Sequence, residues 1–204
     1  MTDAEPKISA EQALKRLIEG NERFLRGELR LPGLVRETLK GLKHNQRPFA
    51  TILGCSDSRV PPEIVFDSGL GDLFVIRVAG NVFSHEIAGS LQYAGAHLHT
   101  PLFVVLGHQG CGAVNAALMT RDRGDQHRSR IQVLVDNILA GLPPFDPDLS
   151  PGARTAQAVE CNILWTIKQI KETPEAQLRL AEGNVKILGA LFEITTGRVR
   201  FLDS

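Results

Sequence analysis

The chain has 204 residues, 43% of them hydrophobic and 23% charged, with 23 basic against 23 acidic side chains. That size suits one domain with a sizeable core, and the balanced charge gives no reason to expect a nucleic acid or an anionic membrane as partner. Three cysteines are an odd number for a disulfide framework and point to a reducing compartment, with thiols kept for metal binding or catalysis. No basic leader with an apolar run opens the sequence, and no apolar stretch approaches the ~20 residues of a membrane span. A cytoplasmic protein is expected.

In chain order, "SAEQALKRLIEGNERFLRGEL" predicts a helix with Ser9 as N-cap and Ala13, Leu14, Leu17, Ile18, Phe24 and Leu25 on one stripe. Gly20-Asn21 is a candidate break or bend in it. A second amphipathic piece is expected from Leu34 to Lys43. Three short, β-branched runs follow: "FATILGC" (49–55), "DLFVIRV" (72–78) and "PLFVVLGH" (101–108). Their near-continuous apolarity predicts strands buried on both faces, as in a parallel sheet. A short helix after Pro61-Pro62 and a longer one near Ser84–His97 separate them, which is an α/β pattern. Further helices are expected from Cys111 through "CGAVNAALM", over "RIQVLVDNILAGL" and over "ARTAQAVECNILWTIKQIKET", the last with Val159, Ile163, Ile167 and Ile170 on one face. "RDRGDQHR" reads as a polar break and "PPFDPDLSPG" as a loop. "VKILGALFEI" and "RVRFLDS" predict a hairpin around "TTGR" that adds an antiparallel edge to a mostly parallel sheet flanked by helices.

Two motifs carry chemistry. "GCSDSRVP" places Cys55, Asp57 and Arg59 after the first strand, and "GHQGCGA" places His108 and Cys111 after the third. Ligands of open parallel sheets gather beyond the carboxyl ends of the strands, so the two motifs are expected to meet. Two thiolates and one imidazole select zinc over magnesium or calcium, and a catalytic zinc keeps three protein ligands and one open position. Either motif alone reads more simply as packed core. Together, with Gly107, Gly110 and Gly112 allowing close backbone approach, they favour a metal site. Asp57 has two readings. It can close the site as a fourth ligand, or a bidentate Arg59 fork can hold it away; a plain salt bridge bracing the loop is the third possibility. Cys161 reads as a packed, inert thiol.

The stretch from Gln46 to Val114, with C-x-D-x-R followed by H-x-x-C, resembles the beta-class carbonic anhydrases. That resemblance implies one Zn2+ per chain on Cys55, His108 and Cys111, and reversible hydration of CO2 to bicarbonate by zinc-bound hydroxide. Two thiolate ligands make the bound water less acidic than three imidazoles would, so better activity above neutral pH is expected. The resemblance also implies an Asp57–Arg59 catalytic dyad and a substrate cleft with Gln46, Phe74, Tyr93 and the Gly112 N–H. In the family that cleft spans a dimer interface, so a homodimer or dimer of dimers is implied. One domain is expected over 1–204, with a helical arm (1–45) and a zinc-binding α/β core (46–204). The chain departs from the family's usual "RNAGN" by Val78. Its one tryptophan, Trp165, and one tyrosine, Tyr93, are not where a regulatory bicarbonate pocket would need them. Two competing readings are a carbonyl sulfide or carbon disulfide hydrolase on the same scaffold and a closed, non-catalytic zinc site. His44, His85, His97, His99 and His127 are surface histidines or candidate proton shuttles.

Overall fold

The computed structural model of the chain describes residues 8–31 and 36–202, with residues 36–38 described by backbone alone. The expected start of the second helix at Leu34 and the last two residues of the closing strand lie outside them. Five strands form one sheet: β1 (Ala50–Gly54), β2 (Leu73–Arg77), β3 (Leu102–His108), β4 (Lys186–Glu193) and β5 (Arg198–Leu202). Their order is β2-β1-β3-β4-β5. The first four run parallel and β5 returns antiparallel to β4. The expected α/β architecture with an antiparallel edge is therefore the observed one.

Helices cover both faces. Successive residues of β1 and β3 alternate between two hydrophobic layers. Leu53, Phe103 and Val105 face the layer built with α4 (His85–Ala96), α5 (Gly112–Arg123), α6 (Ser129–Leu139) and α7 (Pro151–Lys171). Ile52, Leu102, Val104 and Leu106 face the layer built with α1 (Ala10–Arg26) and α3 (Pro62–Val65). β1 and β3 are buried throughout, as central parallel strands must be. β2 is not. Among the described residues it pairs only with β1 and forms the sheet edge, so Leu73, Phe74 and Val75 are half-buried and Arg77 is exposed. The expectation of burial on both faces fails there because apolar composition does not say where a strand sits in the sheet.

α1 starts at a capping box, Ser9 accepting from the Gln12 N–H while Gln12 accepts from the Ser9 N–H. It ends at Gly27 in the left-handed region, φ 69°. The expected break at Gly20-Asn21 is absent: the helix runs straight through both. Gly20 is there because α1 meets α3 backbone to backbone; a Cβ would lie 1.9 Å from the Phe66 carbonyl oxygen. Asn21 is a buried clamp. It donates to the Val65 and Gly197 carbonyls (3.2 and 3.0 Å) and accepts from the Val199 N–H (2.9 Å). A helix break and a close helix contact use the same residue types, so sequence pattern confuses them. Ile18, expected on the buried stripe, is exposed.

The second helix is observed as α2 (Arg36–Leu42), and α5 continues through Arg123 into the expected polar break. Arg121 stabilises that last turn, donating to the Pro143 carbonyl and stacking on Phe145. A further helix, α8 (Pro174–Ala181), and a 3-10 turn at Ala79–Asn81 have no counterpart in the pattern reading. Cys161 sits half-buried on α7, its thiol pushed up by burial. None of the described helices is long and apolar enough to cross a membrane.

Candidate metal centre

The sheet topology delivers the two motifs to one point. β1 and β3 are parallel neighbours, with Gly54 opposite Leu106, so the residues just beyond them share the carboxyl end of the sheet. Cys55 follows β1, His108 ends β3, and Cys111 is the N-cap of α5. Their ligand atoms all lie within 4.8 Å of one another, and all three side chains are buried. His108 Nδ1 lies 3.0 Å from the Gln109 carbonyl. A carbonyl only accepts, so Nδ1 carries the proton and the Nε2 lone pair faces the two sulfurs. Nε2 is buried with no hydrogen-bond partner among the described residues.

These features fit a zinc ion: a Cys2His donor set of the right softness, a backbone bond fixing the histidine tautomer, and a buried nitrogen with a lone pair to give. The thiols point the same way. The Cys55 thiol is held well below its usual range, chiefly by a hydrogen bond from Cys111, with His108 and the Gly80 N–H adding to it against burial. Cys111 is pushed up by that same bond, by burial and by the Cys55 charge. The two thiols therefore oppose each other's ionisation, and a divalent cation between them would relieve that opposition.

Asp57 is held beside this cluster. Arg59 donates from Nε to Oδ1 (2.9 Å), from Nη2 to Oδ2 (2.8 Å) and from its backbone N–H to Oδ1 (3.0 Å). The Arg59 hydrogen bonds, against some burial, hold the Asp57 carboxyl well below the usual carboxylate range. Oδ2 stands 3.7 Å from His108 Nε2. The carboxylate thus faces the ligand cluster while its bidentate partner is the guanidinium.

Sequence pattern does not single out the supports behind the site. Arg77, at the end of β2, donates to the Cys55 carbonyl (3.0 Å) and the Asp57 carbonyl (2.6 Å), bracing the motif loop from both sides. Gly80 donates its N–H to Cys55 Sγ at 3.3 Å. The signal available was the position of "VIRVAGN" next to β1. Val78 keeps that junction paired: its N–H donates to the Gly54 carbonyl and its own carbonyl accepts from Ser56.

Of the expected cleft residues, Gly112 is the first residue of α5, next to Cys111, where a helix N–H has no intrahelical partner. The other three are not gathered by this chain. Gln46 is exposed and precedes β1, at the opposite end of the sheet from Cys55. Phe74 pairs with Thr51, three residues back from the Gly54–Arg77 row, or about 10 Å along the strand. Tyr93 is 46% exposed on α4, its ring 6.1 Å from Phe74 and 5.0 Å from His97. No hydrogen bond or ring contact joins these three to the cluster among the described residues. His44, His85, His97 and His99 are exposed, and His127 is half-buried. A separate cavity of about 440 Å³, lined by Phe83, Leu91, Phe103, Arg179 and Ile187 among others, shares no residue with the cluster.

Comparison with known proteins gives a consistent result. The family model described as carbonic anhydrase matches residues 50–199. "Carbonic anhydrase 2" of Mycobacterium tuberculosis is 37% identical over 200 residues, covering 97% of this chain and 95% of its own length. The carbonic anhydrase of Mycolicibacterium smegmatis is 37% identical over 202 residues, covering 95% and 94%. Among solved structures, the beta-carbonic anhydrase CcaA superposes with a TM-score of 0.72 at 28% identity, covering 93% of this chain and 87% of that one.

Proposed function

The chain belongs to the beta-class carbonic anhydrases and catalyses the reversible hydration of CO2 to bicarbonate, and we propose that it does so on one zinc ion held by Cys55, His108 and Cys111. The observation that carries this reading is the buried convergence of those three donors from two strand ends and one helix start. When bound, zinc makes a water molecule acidic enough to supply a nucleophile near neutral pH.

The residues around it have separable tasks. Asp57, oriented by Arg59, accepts the hydrogen bond of the attacking water at Oδ2 and so aims its lone pair at CO2. The Arg59 fork engages both Asp57 carboxylate oxygens, so Asp57 would not serve as a ligand to the ion, which favours a working site over a closed structural one. The Gly112 N–H, at the positive end of α5, would receive a developing bicarbonate oxygen. Gln46, Phe74 and Tyr93 act on a partner's site: in a single chain they stand apart from the cluster, and β2, Phe74 and Tyr93 present an edge and a half-exposed aromatic face for a second copy. The assembly is accordingly a homodimer or a dimer of dimers. Residues 1–45 act as a helical arm on a zinc-binding core of 46–204. The cytoplasm suits a chain whose three thiols are all free and two of which must stay reduced to bind metal. The carbonic anhydrase relatives favour CO2 over carbonyl sulfide or carbon disulfide.

Stopped-flow CO2 hydration, measured with carbonyl sulfide hydrolysis on the same zinc-loaded protein, tests this. CO2 turnover rising above neutral pH and strongly reduced in Asp57→Asn is expected. Full activity in Asp57→Asn removes the proposed role of Asp57, and preferential carbonyl sulfide turnover removes the substrate assignment.

A further inference from the structure

The 3-10 turn at Ala79–Asn81 carries an unusual backbone. Gly80 sits at φ 71° and Asn81 at φ 45°, both left-handed; a non-glycine residue there is uncommon and needs support from its surroundings. The support comes from α7. Asn162 donates from Nδ2 to the Gly80 carbonyl at 2.8 Å. Thr166, one turn further on the same helix face, donates from Oγ1 to the Asn81 carbonyl at 3.2 Å. Asn162 and Thr166 are 1% and 0% exposed, inside a helix face otherwise built from Val159, Ile163, Ile167 and Ile170.

These two carbonyls follow directly on the N–H that Gly80 gives to Cys55 Sγ. Holding both carbonyls anchors the peptide planes that follow Gly80 and Asn81, and so supports the backbone from which that N–H projects. There is no slack on the other side. A side chain on Gly80 would meet Ile138 at 2.8 Å and Ala113 at 3.1 Å, so the turn is confined between α6 and α5 as well. Asn162 is committed to this one contact: its Nδ2 donates to the Gly80 carbonyl, while its Oδ1 is buried with no partner among the described residues, a desolvation cost accepted at this position.

We propose that Asn162 and Thr166 are positioning residues for the metal centre, acting through the Gly80 N–H on the Cys55 sulfur. They touch neither substrate nor metal. Their effect is to hold an N–H on a sulfur lone pair, which withdraws charge from that ligand and keeps it aimed before the ion arrives. Outer partners of this kind change metal affinity by about 10–100-fold when removed. The inference rests on Cys55 being a metal ligand.

The test uses full-length protein loaded with zinc(II) or cobalt(II), as wild type, Thr166→Val, Thr166→Ser and Asn162→Leu. The expected result is a zinc affinity about 10-fold weaker in Thr166→Val by chelator competition, and a sulfur-to-cobalt charge-transfer band at longer wavelength, because a sulfur that loses its N–H is easier to oxidise. Thr166→Ser, which keeps the hydroxyl, should restore both. Asn162→Leu should show the same two changes more strongly; if it does not fold, the threonine pair decides. Affinity and band unchanged in Thr166→Val overturn the proposal, whether or not its Tm falls, since a purely structural role lowers Tm alone. A wild-type protein that binds cobalt(II) without any sulfur charge-transfer band refutes the metal reading of Cys55 instead.

Discussion

Replacing Asp67 by asparagine probes the joint between the N-terminal helix and the segment that follows the motif loop. The Asp67 side chain has 0% exposure and pairs with Arg23 Nε. It also accepts from the Arg30 and Leu31 N–H groups at 2.8 Å each. Its φ is 44°, a conformation in which Asp and Asn are both tolerated, so the substitution changes charge without straining the backbone. The new carboxamide can accept at one atom only and turns its NH2 toward another donor. Arg23, 19% exposed, is left facing a neutral group. Breaking a buried pair from one side costs about 3–5 kcal/mol. The partial exposure of Arg23 puts this case near about 3 kcal/mol, or about 6–12 °C in Tm for a chain of this size.

The pH dependence of that loss has a definite sign. Burial opposes ionisation of Asp67, but the Arg23 guanidinium and the two backbone N–H groups outweigh it, and the folded carboxyl lies below its usual value. The stabilisation is thus fully present above the unfolded pKa of about 3.9 and is lost as pH falls through the lower folded value. Urea unfolding of wild type and Asp67→Asn, at equal protein concentration from pH 7 into the acid range, measures the gap. Metal loss in acid affects both proteins alike and cancels in the difference. A gap under about 1 kcal/mol at pH 7 is no larger than an exposed pair gives and refutes the buried-pair argument; a gap that stays constant below pH 4 refutes the linkage.

Three further outcomes are expected. Arg59→Ala should leave zinc content unchanged and lower CO2 hydration on the order of 10–100-fold, by freeing Asp57 from its fork; Arg59→Lys, a point charge without the fork, should fall between, and full activity in the alanine variant contradicts the dyad. Removing zinc with a chelator should abolish CO2 hydration and lower Tm, with both returning on zinc addition; activity that survives at zero bound metal removes the metal reading. Gly20→Ala should destabilise by about 2 kcal/mol or more despite the ~1 kcal/mol gain in helix propensity, because the new Cβ meets the Phe66 carbonyl at 1.9 Å; an unchanged or raised Tm shows that α1 and α3 can part without cost.

Much of this molecule is local and therefore readable from its sequence. The strands β1 and β3 announce themselves as apolar runs, Ser9 as a cap, and Cys55 and His108 as polar groups abruptly ending those runs. Their meeting follows from one rule about parallel sheets. What the sequence does not encode locally is who packs against whom. Gly20 and Asn21 look like a break until α3 and the β4–β5 turn arrive beside them. β2 looks central until the strand order leaves it at the edge. Asn162 reads as one polar residue on an apolar helix, 82 positions from the carbonyl it holds. The candidate donors were legible as residue types at two strand ends and one helix start. The aim of each donor was decided only by tertiary structure, because a hydrogen bond to a sulfur or a carboxylate depends on backbone that other elements hold in place.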